Sequence, residues 1–226
     1  MSADEPTPRR APCMRYSLII FDLDGTLANS LPWFRRQVNS VADRFGFRRI
    51  SDEEIASLRH AGSSEILSRL EVPLWKLPLI ARHVRRLKAR DIGNIPLFHG
   101  ADRMLRTVAK GGPCLALVSS DSEANARGQL GETAALFSHF NCGASIFDKA
   151  GKFQRVINRA GVSRTQAIAI GDEIRDIEAA RAAGIACGAV CWGFAAPEAL
   201  RAREPDLIFE RMEDIARELA TSDGSQ

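Results

Sequence analysis

The chain has 226 residues, of which 45% are hydrophobic and 26% are charged, and its formal net charge is +3. This composition is typical of a globular protein with a buried core and argues against intrinsically disordered and fibrous classes. Because 31 basic residues nearly balance 28 acidic ones and form no basic block, nothing indicates a nucleic-acid partner.

The sequence also argues against a membrane or secreted protein. No apolar run approaches the roughly 18 residues that a membrane span needs, and we find no hydrophobic stretch of the secretory kind near the N-terminus. The five cysteines are an odd number without a CxxC pair, which favours free thiols in a reducing compartment. We therefore expect a cytoplasmic protein without membrane or nucleic-acid partners, either a monomer or a homodimer.

Short apolar runs that stop at polar residues or glycine recur along the chain and are typical of buried parallel strands. Residues 1–14, which precede them, are polar and proline-rich, and we predict a disordered tail there. The predicted strands cover residues 17–21, 115–118, 167–170 and 186–192, with a last edge strand at 206–209. Helical patterns occupy residues 101–110, 152–160 and 175–183, and a C-terminal helix ends near residue 219. This alternation predicts an α/β fold with a doubly wound, Rossmann-like parallel sheet.

Residues 31–95 interrupt this alternation. They show helical periodicity without a convincing strand. They carry 13 Lys/Arg against 7 Asp/Glu, a net charge of +6, whereas the rest of the chain has a net charge of −3. We predict a basic, all-helical subdomain at residues 31–95, joined by two linkers to an α/β core formed by residues 15–30 and 96–226.

Polar side chains follow the predicted strands at the edge of the sheet where α/β proteins bind ligands. They are Asp22 and Asp24 after the first strand, Ser119 after the second, and Asp172 with Asp176 after the strand at 167–170. Carboxylates gathered at one point repel each other unless a cation joins them, and oxygen ligands without His or Cys favour Mg²⁺. With Lys149 and a hydroxyl nearby, this edge suits a phosphoryl group bridged to Mg²⁺.

Four motifs in this order resemble those of the haloacid dehalogenase superfamily in its phosphatase form. The first is FDLDGTL at residues 21–27, and the second is a hydrophobic strand that ends in Ser119. Lys149 is similar to the third motif, in a setting like that of phosphoglycolate-phosphatase-like members, and GDEIRD at residues 171–176 resembles the fourth. The insertion between the first two motifs is similar to the small helical cap of this superfamily.

The resemblance implies a Mg²⁺-dependent phosphatase that hydrolyses a small phosphomonoester, with phosphoglycolate as a candidate, through an aspartyl-phosphate on Asp22. Asp24 is implied to protonate the leaving alcohol and then to deprotonate the attacking water. The residues implied to hold or surround Mg²⁺ are Asp22, the main-chain carbonyl of Asp24, Asp172 and, less directly, Asp176. The residues implied to bind the phosphoryl group of the small phosphorylated substrate are Ser119, Ser120 and Lys149, of which Ser119 and Lys149 are also implied to be catalytic. Arg59 and His60 of the cap are implied to bind the rest of the substrate.

Other functions and residue assignments compete with these. A β-phosphoglucomutase-like phosphotransferase shares every core residue and differs in the cap, and a non-catalytic binding protein could use the same scaffold. A 2-haloacid dehalogenase needs neither a second Asp nor Mg²⁺, so Asp24 argues against it. Lys152 competes with Lys149 for the role of the third motif, and Asn29 stands where the family commonly has Asp.

Overall fold

The structure, a computed structural model, describes residues 15–143 and 148–220. The tail predicted at residues 1–14 lies outside the described residues. A central sheet carries helices on both faces, and a set of four helices is inserted after its first strand. None of the helices in the described part of the chain has the length and apolarity that crossing a membrane requires.

The sheet has six strands, all paired in parallel. They are β1 (Leu18–Phe21), β2 (Cys114–Val118), β3 (Phe137–Asn141), β4 (Ala167–Gly171), β5 (Ala186–Val190) and β6 (Leu207–Phe209). Their order, β3-β2-β1-β4-β5-β6, confirms the predicted doubly wound α/β fold. The order reverses beside β1, so residues that follow β1 lie where such sheets bind ligands.

The α-helices of the described residues connect the strands, form the insertion or follow the last strand. They are α1 (Leu31–Phe45), α2 (Asp52–Leu58), α3 (Ser63–Arg69), α4 (Leu77–Asp91), α5 (Ala101–Lys110), α6 (Glu123–Leu130), α7 (Lys149–Ala160), α8 (Ile174–Ala183), α9 (Pro197–Arg201) and α10 (Met212–Ala220). Short 3-10 helices lie at Leu74–Lys76, Ile92–Asn94, Gly131–Leu136 and Arg164–Gln166.

The side chains of β1 divide the core into two layers, because successive residues of a strand point to opposite faces. Ile19 and Phe21 belong to a cluster with residues of α5 and α10, whereas Leu18 and Ile20 belong to a cluster with residues of α7 and α8. Apolar helices thus cover both faces, which is why the strand is a continuous apolar run. Its first polar residue, Asp22, comes where the strand ends.

The insertion is helical, as predicted, and has a small core of its own. This core contains Val38, Ile50, Leu70, Val72 and Leu77. Helix α1 begins with a proline in its first turn and ends at Gly46, whose φ of 65° is in the left-handed region that glycine adopts without strain. The domain boundaries at residues 30/31 and 95/96 stay predictions.

The two linkers of the insertion run side by side. Ala28 pairs with Leu97 in an antiparallel bridge. The N–H of Asn29 donates to the carbonyl of Pro96 at 2.9 Å, and the N–H of Phe98 donates to the carbonyl of Leu27 at 2.8 Å. This short paired connection places the start and the end of the insertion next to the segment that carries Asp22 and Asp24.

Some elements differ from the sequence-based predictions. Strand β3 was not predicted, because only Phe137 and Phe140 of its sequence FSHFN are buried, and their spacing of three resembles neither an alternating strand nor a continuous apolar run. Helix α7 begins at Lys149 instead of residue 152. Its first turn contains Lys149, a glycine and Lys152, so this turn lacks the apolar periodicity that indicates a helix in a sequence.

We expect Ile20→Ala to lower the free energy of unfolding by about 2–5 kcal/mol, because it leaves a cavity in a closely packed layer. The matched control is Ile208→Ala on the edge strand β6, since Ile208 is 38% exposed and Ile20 only 1%. The control should cost less than about 1 kcal/mol. Chemical denaturation measures both changes, and equal losses would contradict the central position of Ile20.

Candidate active site

Asp22 lies directly after β1 and is 5% exposed. Its N–H donates to the carbonyl of Ile170 at 2.9 Å, which fixes its backbone beside β4. Its carboxylate lies 2.9 Å from the Nζ of Lys149, the first residue of α7. Burial raises the pKa of Asp22 to about 6 even though the charge of Lys149 favours the ionised form. Asp22 is therefore a buried carboxylate at the switch point of the sheet, with a cation beside it.

Asp172 follows β4 and is fully buried. Its Oδ1 accepts a hydrogen bond from the Thr26 hydroxyl at 2.8 Å, and its Oδ2 accepts one from the N–H of Phe194 at 2.7 Å. Two glycines leave room for it. A Cβ at Gly25 would lie 2.1 Å from Asp172 Oδ2, and one at Gly193 would lie 2.2 Å from Asp172 Cβ. The carboxylate is thus held in one place by its surroundings.

Asp176, in the first turn of α8, completes the group. Its Oδ2 accepts hydrogen bonds from the N–H groups of Asp172 and Glu173, both at 3.0 Å, and its other oxygen pairs with Lys149. Although burial opposes ionisation, the charges of Lys149 and Arg175 hold the pKa of Asp176 below its usual value. Lys149 therefore bridges the carboxylates of Asp22 and Asp176.

The acidic cluster formed by Asp22, Asp172 and Asp176 fits a hard divalent cation. Each residue offers one carboxylate oxygen, and these oxygens all lie within 4.8 Å of one another. Because all three side chains are buried, water screens their repulsion poorly. Burial and the neighbouring carboxylates raise the pKa of Asp172 well above its usual value. A set of oxygen ligands alone favours Mg²⁺, so these residues fit the predicted cofactor.

Ser119 and Ser120 follow β2, the neighbour of β1. Ser119 is 2% exposed, and its hydroxyl accepts a hydrogen bond from the N–H of Asp121 at 3.1 Å, whereas Ser120 is partly exposed. Lys152 donates from Nζ to the carbonyls of Ser119 at 2.8 Å and Gly143 at 2.7 Å. Lys152 thus holds the backbone after β2, while Lys149 contacts the acidic cluster.

A cap residue that the sequence analysis missed contacts the site. Lys88 of α4 is 3% exposed. Its Nζ lies 2.6 Å from Oδ1 of Asp24 and 2.9 Å from Oδ2 of Asp121. Burial disfavours the ammonium form, yet the two carboxylates outweigh it and raise the pKa of Lys88 above its usual value. The predicted acid/base Asp24 is therefore held by a cation that the cap supplies.

Asn125 of α6 strengthens the same contact from the core side. Its amide donates to Oδ1 of Asp121 at 2.8 Å and to the carbonyl of Arg85 in α4 at 2.9 Å. The sequence contains one indication that Lys88 is buried. Lys88 follows Val84 by four residues, so the two lie on the same face of α4, the face that carries apolar residues. Its acidic partners are remote in sequence, and the helical pattern alone could not identify them.

The two predicted substrate residues of the cap have different surroundings. The guanidinium of Arg59 donates from Nε to the carbonyl of Phe194 at 3.0 Å and from Nη2 to that of Gly193 at 3.3 Å. His60 is exposed. The structure therefore brings Arg59 to the loop that contacts Asp172, whereas His60 faces solvent, and the role of both residues toward a substrate stays a prediction.

Comparisons with known proteins identify the class. The family of haloacid dehalogenase-like hydrolases matches residues 19–190. A phosphoglycolate phosphatase from Synechococcus elongatus is 33% identical over 199 residues, which cover 87% of this chain and 94% of that protein. A 5′-nucleotidase from Pseudomonas aeruginosa is 25% identical, with 87% of this chain and 92% of that protein covered. A solved hydrolase of the haloacid dehalogenase-like family from Streptococcus pneumoniae has a TM-score of 0.74 and 21% identity, with 90% and 98% of the two chains covered.

The chain belongs to the haloacid dehalogenase-like hydrolase family. The resemblance seen in the four motifs is thereby confirmed. The chain is an enzyme, and the predicted class, a phosphoric monoester hydrolase of the haloacid dehalogenase type, is confirmed as well. The likeness to the solved structure supports the fold.

We expect Lys88→Met to lower the free energy of unfolding by about 3–5 kcal/mol, because it leaves the buried Asp121 carboxylate without its cation. The double variant Lys88→Met/Asp121→Asn should lose less than the single variant, since the uncompensated charge is gone. Lys110→Met removes an exposed lysine and is the control, expected within about 0.5 kcal/mol of the wild type. Denaturant titration checks this, and a loss for Lys88→Met no larger than the control's would refute the buried bridge.

Proposed function

We propose that this protein is a Mg²⁺-dependent phosphatase that hydrolyses a small phosphomonoester, with phosphoglycolate as the first candidate. The observation that carries the proposal is the placement of Asp22, a buried carboxylate at the switch point of the sheet. It lies 2.9 Å from Lys149 and has carboxylate oxygens of Asp172 and Asp176 within 4.8 Å. The relative from Synechococcus elongatus, named a phosphoglycolate phosphatase, supports the choice of first substrate.

The chemistry would proceed in two steps on Asp22. In the first, a carboxylate oxygen of Asp22 bonds to phosphorus while the bond from phosphorus to the leaving oxygen breaks, and Asp24 gives its proton to that oxygen. In the second, Asp24 takes a proton from water as the water oxygen attacks phosphorus. The bond to Asp22 breaks and inorganic phosphate leaves. Lys88, whose Nζ lies 2.6 Å from Oδ1 of Asp24, would hold this carboxyl group in position for both proton transfers.

The remaining site residues would bind the phosphoryl group and the metal. Lys149 lies beside the nucleophile, where its charge would offset that of the phosphoryl oxygens, and the hydroxyls of Ser119 and Ser120 would donate hydrogen bonds to them. The residues that would hold Mg²⁺ are Asp22, Asp172 and the main-chain carbonyl of Asp24, with Asp176 orienting Lys149. When bound, Mg²⁺ supplies positive charge that offsets the carboxylates and the phosphoryl group.

A β-phosphoglucomutase-like phosphotransferase would use the same core residues, so the fate of the phosphoryl group separates the two functions. We would incubate the enzyme with a labelled phosphomonoester and an acceptor sugar phosphate. Label in inorganic phosphate supports the phosphatase, and label in the sugar supports the phosphotransferase. The panel of phosphomonoesters should contain phosphoglycolate and, given the 5′-nucleotidase relative, a nucleoside 5′-monophosphate. The cytoplasmic location and the monomeric or homodimeric state stay predictions.

We expect Asp22→Asn to lower phosphatase turnover at least about 100-fold, because the amide has nearly the same volume but no nucleophilic charge. Asp102→Asn makes the same chemical change at an exposed position of α5 and should keep wild-type turnover. Release of inorganic phosphate measures both variants. Retention of more than a small fraction of activity by a folded Asp22→Asn variant would refute the assignment of the nucleophile.

We expect EDTA to abolish activity and an excess of Mg²⁺ to restore it, because the acidic cluster needs a cation to bind an anionic substrate. Ca²⁺ should inhibit, since it takes longer bonds and more ligands than Mg²⁺ and would displace Asp22 from its reactive position. Phosphate release in metal-free buffer, and after addition of each ion, checks both statements. Full turnover without metal would overturn the role of Mg²⁺.

A further inference from the structure

The loop after β5 contacts both the acidic cluster and the cap, and Phe194 makes contacts in both directions. Its N–H donates to Oδ2 of Asp172 at 2.7 Å. Its carbonyl accepts a hydrogen bond from Nε of Arg59 in the cap at 3.0 Å. Its ring packs edge-to-face against Phe34 of α1, with 6.1 Å between the ring centroids and an interplanar angle of 83°. One residue of the core thus joins a predicted metal ligand to two cap residues.

Arg59 holds this loop from the cap side through three hydrogen bonds. Besides the bond to Phe194, its Nη2 donates to the carbonyl of Gly193 at 3.3 Å. Its own carbonyl accepts a hydrogen bond from the N–H of Ala196 at 2.8 Å. Both the side chain and the backbone of Arg59 therefore bind the loop at residues 193–196. Two of its guanidinium nitrogens donate hydrogen bonds to carbonyls of this loop.

On this side of the cap, few other polar contacts join the cap to the core besides the hydrogen bonds of Arg59. The cap and the core loops line a partly open cavity of about 100 Å³ there, whose walls are mainly apolar side chains that include Leu58, Ile66 and Ile174. Another polar contact across it, from the Ser63 hydroxyl of the cap to Oε2 of Glu173 in the core, has a length of 3.5 Å, at the limit of a hydrogen bond. The Arg59 bonds are therefore the main polar connection across this cavity.

On the core side, the loop has little freedom to shift without moving Asp172. A Cβ at Gly193 would lie 2.2 Å from Asp172 Cβ, and a Cβ at Gly25 would lie 2.1 Å from Asp172 Oδ2 and 2.5 Å from the ring of Phe194. Such close approach means that Asp172, Phe194 and the backbones of both glycines are packed without gaps. A displacement of Phe194 would move the N–H that orients the Asp172 carboxylate.

We propose that Phe194 is a positioning residue for Asp172, and that Arg59 makes this positioning depend on contact between cap and core. The inference rests on the proposed Mg²⁺ site. It assigns Arg59 to coupling between the cap and the metal site, in contrast to the substrate contact expected from the sequence. Such coupling is reciprocal: contact by the cap strengthens Mg²⁺ binding, and bound Mg²⁺ strengthens contact by the cap to the same degree.

The test measures Mg²⁺ affinity by titration calorimetry on the full chain, without substrate. Arg59→Ala should weaken Mg²⁺ binding about fivefold or more, which is the range of typical coupling between sites. Arg59→Lys should weaken it less, because a lysine can donate to one of the two carbonyls. Arg69→Ala removes the same charge from the exposed i,i+4 pair with Glu65 and is the matched control, expected to bind Mg²⁺ as the wild type does.

A second variant and a second measurement address the same coupling independently. Phe34→Ala removes the ring that packs on Phe194 at a position that is 42% exposed, so the fold should tolerate it, and Mg²⁺ binding should again weaken. In the wild type, Mg²⁺ should slow backbone hydrogen exchange in residues 59–63 and 193–196. In Arg59→Ala this protection of residues 59–63 should be lost.

Wild-type Mg²⁺ affinity in both Arg59→Ala and Phe34→Ala, with unchanged exchange in residues 59–63, would overturn the coupling while leaving the proposed Mg²⁺ site intact. Absence of Mg²⁺ binding by the wild type would overturn both. A merely structural role for Arg59 would lower thermal stability and leave the affinity of the folded variant unchanged, which also counts against the proposal.

Discussion

Buried negative charge at the carboxyl edge of the sheet is the constraint on which the rest of the structure depends. The oxygens of Asp22, Asp172 and Asp176 lie within 4.8 Å of one another, where water screens them poorly. Carboxylates so placed hinder each other's ionisation unless cations accompany them. The protein supplies Lys149 from α7 and Arg175 from α8, and the residual negative charge is what makes the site suitable for a divalent ion.

The same constraint extends to the cap. On one side of the site, the buried Lys88 forms ion pairs with Asp24 and Asp121. On the other side, Arg59 binds neutral carbonyls of the loop that orients Asp172. The two contacts differ physically, because breaking a buried ion pair leaves an uncompensated buried charge, whereas breaking a bond from Arg59 to a neutral carbonyl leaves no unpaired charge on the loop. The contact at Arg59 is therefore the easier of the two to break and re-form.

Much of the fold and the centre of the site could be predicted, because their signals are local. The run Leu18–Phe21 followed by Asp22 shows both a buried strand and the point where it ends. Because carboxyl ends of parallel strands share one edge, residues far apart in sequence, such as Asp22 and Asp172, could be placed together without knowing the structure. The superfamily motifs favoured Lys149 over Lys152, and Lys149 is the lysine that contacts Asp22 in the structure, while its catalytic role stays a prediction.

What could not be predicted depends on tertiary contacts. The acidic partners of Lys88 are far from it in sequence, so its role as a buried cation can be seen only once α4 lies against α6. Arg59 lies in the expected loop, but the sequence does not show that its guanidinium donates to the carbonyls of Gly193 and Phe194. Strand β3 is defined by pairing with β2 at the edge of the sheet, and its few buried residues leave no clear periodicity.

The paired linkers make the cap a separable part of the chain. Since Ala28 and Leu97 already form a bridge, the core is continuous across the point of insertion, whatever lies between them. A helical insertion of another length or sequence could begin and end at the same two neighbouring residues without changing the order or pairing of the strands. Over evolutionary time, such a chain can change the surface that a substrate meets while the strand that carries Asp22 and Asp24 stays as it is.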